Sequence, residues 1–553
     1  MASQTCSSPV KSCHMCAVIY ILILIPSVLT DSGKLQTGSV YCKGGKCSYV
    51  DGVIDKNGST AFGQYNDTLL TTGWGILDIS AGVGPKTDNY DIMFGAGLLE
   101  GIFTAERIYQ HYQNIRGVFF SKKTSDVEMK VRKWLSEQDT WLRTMIKKHG
   151  YDDPFWRHVG YIMAQFDGLV EGYNVTMGKD KALDIFAFQV LNGVGDLIDL
   201  IHVVAPETFP VWSKMSKAEA MSYLAHQGHC SALIKVMGAY EKFYMSHSSW
   251  FAYAATMRIF KHYNFNVDDP KTNAKRLSFS SYPGFLESLD DFYLLGSQMV
   301  MLQTTNSILD KSLYKHVKPE SVLAWQRVRT ANMMANSGQE WALTVAQYNS
   351  GTYNNQYMVI DLKKIFLGEN ILDGALWVVE QIPTLVKSGD QTQILRAGYW
   401  PSYNVPFFEE IYNKSGYPQF AERFGAENSY QMAPRATIFR RDEANVIGMD
   451  SMKYIMRYND YTKDPYSQSN PCNTICCRGD LESKNPRADG CYDTKVSDLK
   501  MALAFTADII NGPTLGDNLP PFKWTSVFNE SHIGLPETYN FKFITTSPLF
   551  KDD

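Results

Sequence analysis

Ten cysteines stand in this chain of 553 residues, and only seven of them follow its apolar N-terminal stretch. An odd number of thiols in an oxidising compartment leaves one that is either reactive or intermolecular. The stretch itself, residues 16–28, follows Lys11 and ends at Thr30-Asp31-Ser32-Gly33. It is too short to span a bilayer comfortably and has the charge, apolar core and polar end of a signal peptide, so residues 1–30 are expected to be removed together with Cys6, Cys13 and Cys16. Cys42 and Cys47 can then close a small loop. Cys472, Cys476, Cys477 and Cys491 can form two bridges whose pairing the sequence leaves open. Cys230 remains.

Cys230 sits in Gly228-His229-Cys230-Ser231-Ala232-Leu233-Ile234-Lys235, where a polar stretch meets an apolar, strand-like run. Most free cysteines are simply small buried apolar residues. Its position offers more. The Cys230 sulfur can attack the carbonyl of His229, and hydrolysis of the resulting thioester frees a new N-terminal cysteine. The amine of that residue, with a reference pKa of about 7.7–8.0, can serve as base for its own thiol, so that one residue supplies nucleophile and base. The oxyanion formed in each step needs hydrogen-bond donors.

A formal charge of -4 gives no basic footprint for nucleic acid. No second long apolar run is present, so no transmembrane span is expected once the leader is gone. Sequons at Asn57, Asn66, Asn174, Asn413 and Asn529 fit a secreted glycoprotein. No His/Cys/Asp/Glu set has zinc spacing, and neither a Gly-x-Ser-x-Gly elbow nor a phosphate-binding glycine loop occurs; no metal and no cofactor are expected. Arg478-Gly479-Asp480 spells an integrin-type tripeptide beside the cysteine group, a combination that recurs by chance. Glu287, Asp290 and Asp291 lie close in sequence and read as a solvated turn rather than an acid/base pair.

Periodicity gives a strand at 73–79, then helices at 92–113, 125–148, 154–173 and 183–204. In the second of these Val127, Met129, Val131, Trp134 and Leu135 are the candidate core. Residues 205–229, with Pro206, Pro210 and the charged 214–219 run, read as an exposed irregular connector of the kind proteases nick. Strands follow at 231–236, 277–281, 292–304, 356–362 and 375–381, interrupted by a helix-rich stretch at 319–348. Helices and sheets packed in layers are expected. No linker divides the chain, so 31–229 and 230–553 are read as two parts of one composite domain.

Several long strings carry a resemblance. They are Thr72-Gly73-Trp74-Gly75-Ile76-Leu77, the Cys230 segment, Ser278-Phe279-Ser280-Ser281-Tyr282-Pro283-Gly284-Phe285, and Asn349-Ser350-Gly351-Thr352-Tyr353-Asn354-Asn355-Gln356-Tyr357. To these add Tyr399-Trp400-Pro401-Ser402-Tyr403-Asn404-Val405-Pro406 and Cys472-Asn473-Thr474-Ile475-Cys476-Cys477-Arg478. Over nearly all of the mature chain the sequence resembles the phospholipase B-like (lamina-ancestor) family. The resemblance implies an α+β fold of the N-terminal-nucleophile hydrolase type, an αββα sandwich of two stacked antiparallel sheets covered by helices. It implies autocatalytic cleavage between His229 and Cys230 into two chains that stay associated, residence in the lysosome lumen or outside the cell, and deacylation of glycerophospholipids through a Cys230 acyl-thioester.

By the same resemblance Cys230 is the nucleophile, and His247, Trp250, Asn404 and Arg435 are pocket residues. Arg435 is expected to lower the thiol pKa, Asn404 to donate to the oxyanion, His247 to position thiol or substrate, and Trp250 to wall an acyl pocket. Asn354 and Asn355 are weaker candidates for a second donor in that pocket. The ordinary readings are a surface arginine, a turn asparagine before Val405-Pro406, a satisfied polar histidine, a core tryptophan and a plain Tyr-Asn-Asn-Gln turn. Two alternatives stay open for function: an amidase acting on N-acyl lipids, as in ceramidase-like relatives of this site, and a lipid-binding glycoprotein whose cleavage is only maturation.

Overall fold

The computed structural model describes residues 35–120, 125–226 and 229–550; the signal-peptide reading falls outside them. Two sheets dominate. The larger has eleven strands in the order Leu385–Asp390, Leu376–Ile382, Asn355–Asp361, Met299–Thr305, Tyr293–Leu295, Arg276–Ser281, Arg258–Phe265, Trp74–Ala81, Ala61–Thr68, Leu35–Lys43 and Lys46–Asp51. The smaller has the order Tyr399–Ser402, His229–Val236, Phe243–Ala252, Asp493–Asp498, Ala507–Asn511 and Ile544–Thr546, with Asp489–Cys491 also on Phe243–Ala252.

Side chains alternate across a strand, and the alternation assigns each face a layer. Phe260, Val300, Leu302, Met358 and Val378 of the large sheet meet Ala232, Ile234, Met245 and Ile509 of the small sheet in one buried cluster. The opposite face of the large sheet, with Ile79, Ile259, Tyr263, Met301 and Val359, is covered by the helices Asn89–Phe119, Ser125–His149, Pro154–Thr176 and Ala324–Met334. The opposite face of the small sheet, with Leu233, Tyr244 and Val496, meets Phe420, Phe424, Ile438, Met452 and Ile455. Helix, sheet, sheet, helix is the layered sandwich expected. Its sheets are not wholly antiparallel, because Trp74–Ala81 and Arg258–Phe265 pair in parallel.

The periodic reading needs four further corrections. The helix expected at 183–204 breaks at Gly193 into Ile185–Asn192 and Val194–Val204, bent by 103°. The single strand expected at 292–304 is a hairpin, Tyr293–Leu295 and Met299–Thr305, turned by Gln298 at φ 57°. Met129 is 63 % exposed, whereas Val131, Trp134 and Leu135 are buried. The connector is helical rather than irregular, with Lys217–His226 an α-helix, and Phe209 and Ala220 are buried. Trp212 packs edge-on against Phe420, so this segment is docked on the outer helices.

One contact within the helical layer over the large sheet is set by glycine. A Cβ on Gly97 would lie 1.9 Å from Gln165 O, one on Gly101 2.3 Å from Leu169 O, and one on Gly168 2.0 Å from Phe94 O. The helices Asn89–Phe119 and Pro154–Thr176 therefore touch backbone to backbone. Among the described residues no single helix is long and apolar enough to cross a membrane.

Candidate active site

Cys230 is the second residue of its strand, paired with Ser249 across the Phe243–Ala252 strand. Ala232 and Ile234, two and four residues on, face the space between the sheets, and the strand's period of two turns Cys230 the same way. It is 6 % exposed and is the free cysteine among the described residues; Cys42 pairs with Cys47, Cys472 with Cys477 and Cys476 with Cys491. A cavity of about 30 Å³ opens on it, bounded by Val194, Ile198, Ser249, Trp250, Tyr282, Asp290, Thr305 and Tyr353. That is room for about one water, not for a lipid.

Four residues carried by the resemblance gather at the Cys230 strand. The Cys230 N–H donates to Asn404 Oδ1 at 3.0 Å, and Asn404 Nδ2 donates to Thr305 O at 2.6 Å. Asn404 has φ 67°, which asparagine tolerates better than most residues. Its oxygen, not its NH2 group, thus faces the nucleophile, and the expected oxyanion donor is committed to a backbone carbonyl. Arg435 is nearly buried rather than on the surface. Its Nη1 donates to Cys230 O and, at 3.3 Å, to Ser231 Oγ; its Nη2 donates to Tyr403 O at 2.8 Å. The guanidinium lies 4.4 Å from the centre of the Trp250 ring, a cation–π contact. Trp250 lines the cavity and pairs with His229 in register.

His247 pairs with Ala232, two residues along from the nucleophile. Its Nε2 is 2.8 Å from Gln303 O and its Nδ1 3.1 Å from Lys495 Nζ. A carbonyl only accepts and an ammonium only donates, so the ring is neutral with its proton on Nε2. Burial, reinforced by Lys495, holds its pKa well below the ordinary value. Asn354 and Asn355 are corrections to the expected pocket. The Nδ2 of Asn354 donates to Asp199 Oδ2 and Gly351 O, that of Asn355 to Tyr357 Oη, and neither lines the cavity.

The carboxylates read as a solvated turn are the largest correction. Glu287, Asp290 and Asp291 are 1 %, 2 % and 1 % exposed. Asp290 Oδ2 lies 2.9 Å from Arg258 Nη2 and 2.7 Å from Lys495 Nζ; Asp493 completes a square, 3.0 Å from Arg258 and 2.8 Å from Lys495. Arg258 belongs to the large sheet and Lys495 and Asp493 to the small one, so the square ties the sheets together beside Cys230. No periodicity marks these residues, because charge in a strand reads as a solvated face. The Asp493-Thr494-Lys495-Val496 run has no exposed face at all. The tripeptide Arg478-Gly479-Asp480 is likewise folded inward, with Arg478 fully buried and forked onto Asp480.

Burial pushes the Cys230 thiol up to about 12, opposed by the Lys495 ammonium and the Trp250 N–H and reinforced by Asp290 and Asp493. In the uncleaved chain the Cys230 nitrogen is an amide and cannot act as base.

A phospholipase B family model matches residues 61–546. The chain belongs to the phospholipase B family. It is 52 % identical over 517 residues to Phospholipase B-like 1 of Homo sapiens, covering 92 % of this chain and 90 % of that one. To Phospholipase-B 81 of Drysdalia coronoides it is 51 % identical over 536 residues, 96 % of each chain. Phospholipase B-like protein A of Dictyostelium discoideum is 36 % identical over 555 residues, 96 % of this chain and 95 % of its own.

Proposed function

We infer that this member of the phospholipase B family is an N-terminal-cysteine hydrolase that removes acyl groups from glycerophospholipids after cutting itself before Cys230. The observation that carries the reading is the one unpaired cysteine among the described residues, at the start of an interior strand, opening on a cavity and bonded through its own N–H and C=O to Asn404 and Arg435. Attack of Sγ on the His229 carbonyl gives a thioester and frees the Cys230 amine; water then releases the new carboxylate. Asn404 Oδ1 already accepts from that nitrogen and would hold the freed amine in place, with its lone pair turned to the thiol. Arg435 fixes the Cys230 carbonyl, so the residue cannot rotate out of its strand. The amine then takes the thiol proton, Sγ attacks the substrate ester carbonyl, the alcohol leaves with that proton, and water cleaves the acyl-thioester. A cavity the size of one water has no place for an acyl chain, so turnover requires cleavage first.

Three disulfides and the exposed sequon residues Asn57, Asn174, Asn413 and Asn529 favour the secretory route, and we place the protein in the lysosome lumen or outside the cell, its two chains held by the shared sheets rather than by a bridge. Intact mass and N-terminal sequencing of the wild type should give a second fragment beginning at Cys230. Cys230→Ala should stay uncut and release no fatty acid from phospholipid. A fragment starting at residue 230 in that variant removes self-cleavage, and faster release from matched N-acyl lipids than from esters makes the enzyme an amidase.

A further inference from the structure

The Lys495 ammonium is the most heavily coordinated group near the nucleophile. Its Nζ lies 2.7 Å from Asp290 Oδ2, 2.8 Å from Asp493 Oδ1, 2.7 Å from Ser249 Oγ and 3.1 Å from His247 Nδ1, and its side chain is fully buried. These partners come from three directions: Ser249 and His247 from the adjoining strand, Asp493 from its own, and Asp290 from the loop that joins Arg276–Ser281 to Tyr293–Leu295 in the large sheet. Arg258, from the large sheet, faces the same two carboxylates. Two of the groups that hold Lys495, Ser249 and Asp290, line the cavity with Cys230, and Ser249 is the direct cross-strand partner of Cys230.

We propose that Lys495 is a positioning residue for the reaction, a fixed buried cation that holds the Cys230 thiol in an ionisable state while taking no proton itself. The proposal rests on the reading of Cys230 as nucleophile. The charge balance supports it. Arg258, Lys495, Asp290 and Asp493 sum to zero, so the square is neutral as a whole, but its corners are held differently. Lys495 is anchored through Ser249 to the strand that pairs with the Cys230 strand, whereas Arg258 stacks over Tyr282, 4.0 Å from the ring centre. Of the four, Lys495 gives the largest effect on Cys230, and it favours the thiolate over the buried thiol. His247 cannot share the task, since its Nδ1 lone pair is turned to Lys495 and its Nε2 proton to Gln303.

The experiment is a pH titration of the Cys230 thiolate in the matured full-length protein, read as ultraviolet absorbance against Cys230→Ser at each pH. It needs neither substrate nor access to the cavity. Lys495→Gln keeps donors for Asp290 and Asp493 but no charge. It should raise the midpoint and leave about tenfold less thiolate, or less still, at any pH below it. Lys495→Arg should restore the wild-type midpoint. In turnover the acidic limb of the kcat/KM profile should move by the same amount, with KM unchanged. If Lys495→Gln does not fold, Lys495→Met combined with Asp493→Asn preserves the balance of charge and should still raise the midpoint, by less, because loss of Asp493 removes a smaller effect of opposite sign. An unchanged midpoint in a folded variant of either kind overturns the proposal. Hydrolysis retained in Cys230→Ala would instead remove the nucleophile, and the titration would still decide the effect of Lys495 on the thiol.

Discussion

Asp290 and Asp291 are neighbours in one loop, equally buried, and electrostatically opposite. Asp290 meets Arg258 and Lys495, and these cations outweigh burial to hold it ionised, far below the ordinary carboxyl range. Asp291 meets no cation among the described residues. Among these, too, both its carboxyl oxygens are without a hydrogen-bond partner, and burial followed by repulsion from Asp290 and Asp196 pushes its pKa well above the ordinary value. Glu287, four residues earlier, is raised in the same way by burial and by Asp291. Burial alone therefore does not settle whether a carboxyl is charged. A partner with good geometry does. The loop places one ionised and one neutral carboxyl side by side, and only the ionised one belongs to the square at Cys230.

Breaking the square should have the largest effect. Asp290→Ala leaves two buried cations facing Asp493 alone, and removal of one member of a buried pair destabilises by about 3–5 kcal/mol. Urea unfolding should register that loss together with failure of maturation; stability within error of the wild type would show the square to be dispensable. The neutral side of the comparison predicts the opposite sign. A carboxyl whose folded pKa is raised contributes stability that is present below its unfolded pKa and is lost as pH rises toward the folded value. Asp291→Asn cannot ionise, so its stability relative to the wild type should grow by up to about 1.4 kcal/mol per pH unit above the ordinary carboxyl range. Melting at pH 5 and pH 7 tests this, and an equal difference at both would mean that Asp291 stays ionised or meets solvent. Glu287→Gln should follow the same trend, since burial and Asp291 raise the Glu287 carboxyl in the same direction. The exposed pair Lys133–Glu137, 3.9 Å apart, sharpens the contrast. Lys133→Ala should leave the melting temperature unchanged, since surface ion pairs contribute little.

The long amphipathic helices were legible because their burial follows a period, as in Ser125–His149, and strands such as Leu376–Ile382 because they carry a short apolar run, Leu376 to Val379. The Phe243–Ala252 strand was not, although it carries His247, Ser249 and Trp250. Its ten residues have almost no exposed side, and Ser246, Ser248 and Ser249 fill positions where an interior strand normally shows Val or Ile. The backbone contact through Gly97, Gly101 and Gly168 was equally silent, since a glycine in a helix announces only a weaker helix. At the site, Cys230 stood out by cysteine counting, and Asn404, Arg435, His247 and Trp250 by likeness to a family.

The sequence by itself determined the odd thiol at Cys230, the strand in which it stands, and the family to which the chain belongs. These follow from counting, local pattern and long identical strings, and none needs the third dimension. Which way Asn404 turns its amide, which carboxyls are ionised, and that Lys495 is bonded to Ser249, the cross-strand partner of Cys230, were decided only by the tertiary structure. The reason is that charge in a protein is settled by distance and desolvation. Arg258, Asp290, Asp493 and Lys495 span 238 positions of chain, and only the stacking of two sheets brings each cation within 3.0 Å of both carboxylates.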